Sequence, residues 1–319
     1  MRFSVIIPLY NKSPYVAKAI ESVLAQTCTD YELIIMDDGS TDNSFEIASK
    51  AIGGRGNCQI YRQQNAGVSM ARNNAVKRSH GEYICFLDAD DWWNPAFLIN
   101  VSKLMDTYPD AGIYGTGYTI VNETKKKTRV ATMGLEPGFD MGYINYCRVY
   151  AEGMYMPLWT GSVCIPRWVY DEMGGFKSHL KLGEDFDLWI RIARKYKVAF
   201  LNKPLSYYNQ DSDPQWRGTG QLRDPKTHML WNLGYLEEDE KTNPDYKQLI
   251  DNLRTYSLFP YYLSRQYRDA ARQELNKVNW SNQPSAVRRL YRKPVYYLCF
   301  RQWLLGIASA TKRLIYKCL

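Results

Sequence analysis

Glu82-Tyr83-Ile84-Cys85-Phe86-Leu87 runs without a break into Asp88-Ala89-Asp90-Asp91. Six mostly apolar residues that end in a cluster of carboxylates read as a buried strand whose last turn faces water. The apolar residues are continuous rather than alternating, as in a parallel sheet covered on both faces. Three earlier segments repeat the design. Phe3 to Ile7 leads to Tyr10-Asn11, and Tyr31 to Met36 leads to Asp37-Asp38-Gly39-Ser40-Thr41-Asp42. Gln59 to Arg62 leads to Asn65-Ala66-Gly67. Helical spacing fills the gaps. Val16, Ala17, Ile20, Val23 and Leu24 follow a start at Ser13-Pro14, a second helix reaches about Lys50, and a third spans Val68 to Ser79. The order β-α-β-α-β-α-β predicts an α/β fold with a Rossmann-like, mostly parallel sheet and helices on both faces. Ligands of such sheets bind outside the carboxyl ends of the strands, so four polar loops are expected around one cleft.

Beyond residue 95 the pattern loosens. Residues 96–107 read as a helix, 112–121 as a strand and 122–135 as a polar hairpin tip around Lys125-Lys126-Lys127. Residues 136–165 are rich in Gly, Tyr and Met with weak periodicity. Glu184 to Tyr196 reads as a helix and Val198 to Leu201 as a short strand. Residues 209–225 read as a loop holding Asp211, Asp213 and Trp216, and 226–319 read as helical. Two regions are therefore expected, 1–225 and a helical, basic 226–319.

The chain has 319 residues, 45% apolar and 23% charged, which is the composition of a folded protein. No run approaches the roughly eighteen apolar residues of a spanning helix. The apolar start is too short for a signal peptide. Seven scattered Cys without a CxxC pair predict reduced thiols and a cytoplasmic protein. Three distant His argue against a His-based zinc site. Neither GxGxxG nor GxxxxGK[ST] occurs at the strand ends, which argues against the common dinucleotide and P-loop sites.

The formal charge of +8 is concentrated at one end. Residues 252–319 carry 13 basic and 2 acidic side chains. Val295 to Phe300 and Trp303 to Ile307 are its most apolar stretches, flanked by Arg288, Arg289, Arg292, Lys293 and then Lys312, Arg313 and Lys317. Two readings stand: peripheral contact with an anionic membrane, or a basic helix packed on the protein with a solvated face. No nucleic-acid motif accompanies the charge, and nucleic acid is not an expected partner.

Four constellations bear chemistry. Asp88-Ala89-Asp90-Asp91 could relieve its own repulsion with Mg²⁺ or Mn²⁺, strand alternation aiming Asp88 and Asp90 the same way. Glu184-Asp185 opens a helix after Gly183 and could supply a general base. Asp37-Asp38-Gly39 could accept hydrogen bonds from a base or ribose. In Asn65-Ala66-Gly67-Val68-Ser69-Met70-Ala71-Arg72-Asn73, Gly67 permits close approach of a ligand to backbone. Taken singly, each is equally a helix cap or a turn.

Taken together and in this order, the motifs resemble the inverting glycosyltransferases of family 2, over roughly residues 3–210. The resemblance implies a GT-A fold with a nucleotide-binding half (1–95) and an acceptor-binding half (96–225). It implies a nucleotide-diphosphate sugar donor, usually a UDP-sugar, and Mn²⁺ or Mg²⁺. By motif, it puts Pro8, Tyr10 and Asn11 beside the nucleoside and Asp38 on the uracil. Asn65, Gly67 and Arg72 line the nucleotide. Asp88 is the ribose-side acid of the DxD, Ala89 its spacer and Asp90 the metal ligand, with Asp88 beside it. Asp185 is the catalytic base and Glu184 its neighbour toward the acceptor. Trp189, four residues on, and Trp216 are acceptor candidates. Two departures matter. Tyr207-Tyr208-Asn209-Gln210-Asp211 lacks the His that members often carry, leaving Asp211 as a substitute. The QxxRW of processive members is absent, so a single-addition transferase is expected. The acceptor expected is a saccharide or lipid-linked saccharide, in surface-polysaccharide assembly. The alternatives are a non-catalytic nucleotide-sugar binder and a sugar nucleotidyltransferase.

Overall fold

The computed structural model describes residues 1–153, 155–211 and 222–301. The chain divides into two compact units, Met1–Leu233 and Gly234–Leu319.

The first unit is built on one mixed sheet. Its strands are β1 (Phe3–Leu9), β2 (Tyr31–Asp37), β3 (Cys58–Arg62), β4 (Tyr83–Phe86), β5 (Trp92–Trp93), β6 (Ala111–Asn122), β7 (Lys127–Val130), β8 (Met141–Ile144), β9 (Val163–Pro166) and β10 (Lys197–Asn209). The order is β3-β2-β1-β4-β9-β6-β10-β5, with β7 on β6 and β8 on β10. The first four neighbours are parallel, as the continuous apolar runs predict. β9 then runs antiparallel between β4 and β6 and joins the four parallel strands to the rest of the sheet.

The helices of this unit are α1 (Val16–Leu24), α2 (Ser44–Ile52), α3 (Val68–Val76), α4 (Phe97–Thr107), α5 (Tyr146–Gly153), α6 (Arg167–Glu172) and α7 (Glu184–Lys195). Alternate residues of β1 explain the layering. Phe3, Val5, Ile7 and Leu9 share one core with Ile20 and Val23 of α1 and Phe97, Leu98 and Val101 of α4. Ile6 and, on β2, Ile34 point the opposite way and are equally buried, on the face α3 covers. Burying both faces is what makes these strands uniformly apolar.

Two expectations are corrected here. The strand expected at 198–201 is β10, which continues to Asn209. Its pairing with β6 shifts register on either side of Pro204, which pairs with Gly117, and these irregularities absorb Asn202, Lys203 and Leu205. The cysteines are not all free thiols. Cys85 of β4 and Cys164 of β9 are cross-strand partners and form a disulfide.

The second unit holds α8 (Glu237–Thr242), α9 (Pro244–Ser257), α10 (Phe259–Leu263), α11 (Arg268–Leu275) and α12 (Ser285–Tyr291), then a helical stretch at 295–301. Leu249, Ile250, Leu253 and Ala271 are buried in it. Arg254 is buried too, its guanidinium 2.9 Å from Glu240 and 3.3 Å from Glu274. Among the described residues, no helix is long and apolar enough to cross a membrane.

Candidate active site

The loops after β1 and β2 are laced together by side chains. Ser40 Oγ accepts from Asn11 N–H at 3.0 Å, Ser44 Oγ from Lys12 N–H at 2.8 Å and Asp42 from Ser13 N–H at 3.1 Å. Asn11 returns the contact, its Oδ1 accepting from Thr41 N–H at 2.8 Å. Asn11 has φ of 49°, a left-handed conformation that Asn tolerates better than most residues. A cavity of about 430 Å³ opens here, lined by Asn11 to Tyr15, Thr41 and Asp42. Pro8 is buried near the end of β1, and Tyr10 is half-buried.

Asp38 shapes the next loop. Its carboxylate accepts from Gln63 Nε2, Ala66 N–H and Gly67 N–H, each at 2.8 Å. Asp38 is 3% exposed, so its charge is spent largely on the turn that contains Asn65 and Gly67. Gly39, at φ +76°, lies so close that a Cβ there would sit 3.1 Å from Asn65 N. Gly67, at φ +89°, opens α3.

The acidic cluster is a turn, not a strand end. β4 stops at Phe86, and Asp91 N–H donates to Asp88 C=O at 3.0 Å. Strand alternation therefore does not apply, and the three carboxylates point three ways. Asp88 pairs with Arg72 at 2.7 Å. Asp90 pairs with Lys12 Nζ at 2.6 Å. Asp91 turns inward and accepts from Asn209 N–H at 2.8 Å and Trp159 Nε1–H at 3.2 Å. Ala89 is 2% exposed between them. Among the described residues, no three acidic, His or Cys side chains converge as a metal site.

Glu184 and Asp185 open α7 after Gly183, which adopts φ +79°. Arg72 brings them to the acidic turn. Its guanidinium lies 3.2 Å from Glu184 as well as 2.7 Å from Asp88. It is 3% exposed and stacks 5.0 Å from the Phe176 ring. Asp185 accepts from Thr160 Oγ1–H at 3.2 Å. Burial pushes Asp185 above the usual carboxylate range, against the pull of Arg72. Burial and the neighbouring Asp185 raise Glu184 likewise. Asp91 is raised further, by burial first and then by Asp90 and Asp88.

Several candidates fall elsewhere. Trp189 is fully buried and packs on Phe176 at 5.9 Å, so it is core and not an acceptor contact. Asp211 closes the β6–β7 turn by accepting from Thr124 N–H at 3.1 Å. Trp216 lies outside the described residues. Sequence reasoning passed over Lys12 and Thr160, for no motif flags a lone Lys or Thr. Trp159 is half-buried, 4.3 Å from the Tyr208 ring, and its Nε1–H donates to Asp91 of the acidic turn.

A model of the family described as "Glycosyl transferase family 2" matches residues 4–169. An uncharacterized glycosyltransferase of Rickettsia felis is 31% identical over 230 residues, 72% of this chain and 35% of that protein. The chain thus spans about a third of that relative's length. The uncharacterized glycosyltransferase YibD of Escherichia coli is 46% identical over 90 residues, 28% of this chain and 26% of that protein. Among solved structures, Staphylococcus aureus TarS 1–349 in complex with UDP-GlcNAc superposes with a TM-score of 0.70 at 18% identity, covering 90% of this chain and 83% of that one. The GT-A-like α/β fold expected from the motifs is the fold observed.

Proposed function

Because the chain belongs to glycosyltransferase family 2, we propose that it moves one sugar from a UDP-sugar to a saccharide or lipid-linked saccharide acceptor, with inversion at the anomeric carbon. The observation that supports this most is the position of Arg72. One guanidinium pairs with Asp88 in the turn after β4 and with Glu184 beside Asp185. Donor-side and acceptor-side acids therefore share one small region, as a direct transfer requires.

In this reading Asp185 takes the proton of the attacking acceptor hydroxyl. Its burial raises its proton affinity, which suits a base acting near neutral pH. Thr160 Oγ1–H and Phe186 N–H each hold one carboxylate oxygen, at 3.2 and 2.7 Å, and so fix the orientation of the group toward the hydroxyl. A single displacement by that hydroxyl inverts the anomeric carbon, through an oxocarbenium-like state. The loops around Asn11, Asp38 and Gly67 hold the nucleotide, chiefly through backbone that Asp38 and Ser40 fix in place.

The residues fit a divalent cation, Mn²⁺ or Mg²⁺, in a limited way. Asp90 already accepts a cation, the Lys12 ammonium, at 2.6 Å. Asp90 and Asp88 are two oxygen donors, and such ions commonly take the rest of their shell from water and phosphates. When bound, the ion would neutralise charge on the leaving diphosphate.

TarS binds UDP-GlcNAc, so that donor heads the panel that tests the proposal. Calorimetry and slow donor hydrolysis are scored for UDP-, GDP-, CMP- and dTDP-sugars with and without Mn²⁺. Metal-dependent binding of one UDP-sugar is expected. Asp185→Asn should keep that affinity and lower transfer by about 10²-fold or more. Near-normal turnover in that variant removes Asp185 from the role of base, and a failure to bind any sugar nucleotide removes the transferase reading.

A further inference from the structure

The last acidic residue of the chain is Glu274; residues 275–319 carry nine basic side chains and no carboxylate. The described part of this segment sorts its residues sharply. Tyr291 and Leu298 hold it to the second unit. The Tyr291 hydroxyl donates to Thr255 C=O at 2.7 Å, and its ring packs against Phe259, Tyr262 and Trp280. Leu298 is 1% exposed. The opposite character gathers within a few residues. Arg289, Arg292, Lys293 and Arg301 are exposed, as are Tyr296 at 78%, Phe300 at 56% and Tyr297 at 43%. Tyr296 and Phe300 are one helical turn apart and share a face. Lys293 Nζ lies 4.8 Å from the Tyr297 ring.

A solvated basic helix gains nothing from presenting three aromatic rings to water. Nucleic acid would be met by the charge but needs no paired rings on a helix face. An interface between lipid headgroups and acyl chains meets both needs at once. The rings enter the boundary while the Arg and Lys stems extend over apolar surface with their heads at the phosphates. We infer that the end of the second unit, from Arg289 to Arg301, is a docking surface for an anionic lipid bilayer. The inference is independent of the transferase reading.

The test is flotation of the full chain with vesicles of phosphatidylcholine alone and of phosphatidylcholine with an equal part of phosphatidylglycerol. The protein should float with the anionic vesicles only, and less so as salt is raised. Arg289→Gln/Arg292→Gln/Lys293→Gln should lower partition by about a hundredfold, at roughly fivefold per charge. Tyr296→Ser/Phe300→Ser should lower it by about tenfold while leaving the salt dependence in place. All substituted side chains are exposed, so melting should be unchanged. Equal flotation with both vesicle types overturns the inference. So does a charge variant that floats like the wild type. Binding of a labelled DNA duplex without flotation would assign the charge to nucleic acid and overturn it as well. Should a variant misfold, the lipid and salt dependence of the wild type decides alone.

Discussion

At the scale of single residues, the acidic turn is held by two cations, Arg72, which a motif announced, and Lys12, which none did. Lys12 reaches Asp90 across 78 positions, and both side chains are nearly enclosed, at 14% and 15% exposure. A metal ion seeking Asp90 must compete with that ammonium. Lys12→Met should therefore tighten Mn²⁺ binding in the absence of donor, by about tenfold for an ion pair this enclosed. Spin-resonance titration of free Mn²⁺ measures it, and an unchanged affinity would show that Lys12 does not compete. Asp38, Asp88 and Asp90 were legible because each follows an apolar strand, and Glu184 and Asp185 because they open a helix after a glycine. Their pairings were not, because an ion pair between distant loops leaves no periodic trace. Trp189 went wrong for a related reason. Spacing of four put it on the face of Asp185, but a large aromatic ring gains more from burial than the spacing rule can overrule.

At the scale of elements, the most consequential piece is the segment that braces the start of α7. Thr227 C=O accepts from Lys181 N–H at 2.8 Å, and Leu182 C=O accepts from Met229 N–H at 3.0 Å. His228 sits between them, 1% exposed, its Nδ1 accepting from Leu230 N–H at 3.1 Å. That nitrogen must be unprotonated to accept. Burial pushes His228 down to about 4. An unfolded chain takes up this proton below about pH 6.5, whereas the folded one resists until about 4. The stabilisation is whole above pH 6.5 and is lost as pH falls through that window, to a total on the order of 3 kcal/mol. His228→Asn should flatten the acid limb of Tm against pH between 6.5 and 4. An unaltered limb would assign acid lability elsewhere. The sequence showed this segment only as the start of a helical region, since bracing by short bridges has no period. β10 hid in the same way, its irregular middle reading as a strand end.

At the scale of the whole first unit, the order of strands decides what composition cannot. Counting cysteines predicts reduced thiols, yet β9 inserts beside β4 and sets Cys164 opposite Cys85 across 79 positions. Only the topology reveals that neighbourhood. Closing a loop of this length contributes up to about 4 kcal/mol. Cys164→Ser should lower the denaturant midpoint, and a reductant should do the same to the wild type but leave the variant unmoved. A wild type indifferent to reductant would show that the bond adds no stability. The parallel strands were readable because β1, β2 and β4 repeat one covered, apolar pattern and β3 extends it at the edge. The antiparallel strands β8 and β9 were not, because they are four residues each and lie in a Gly- and Tyr-rich stretch without alternation.

Arg72 bears on the order in which substrates arrive. While it bridges Asp88 and Glu184, a donor that draws Asp88 away frees half of the fork and alters the charge felt by Glu184 and Asp185. Occupancy of one side must then change affinity on the other, and by the same factor in both directions. Steady-state kinetics should show an ordered sequential pattern, nucleotide sugar first, with the acceptor binding poorly to empty enzyme. Arg72→Lys, which puts a point charge in place of a fork, should make the two bindings independent and the pattern random. A random pattern in the wild type would mean that the bridge transmits nothing.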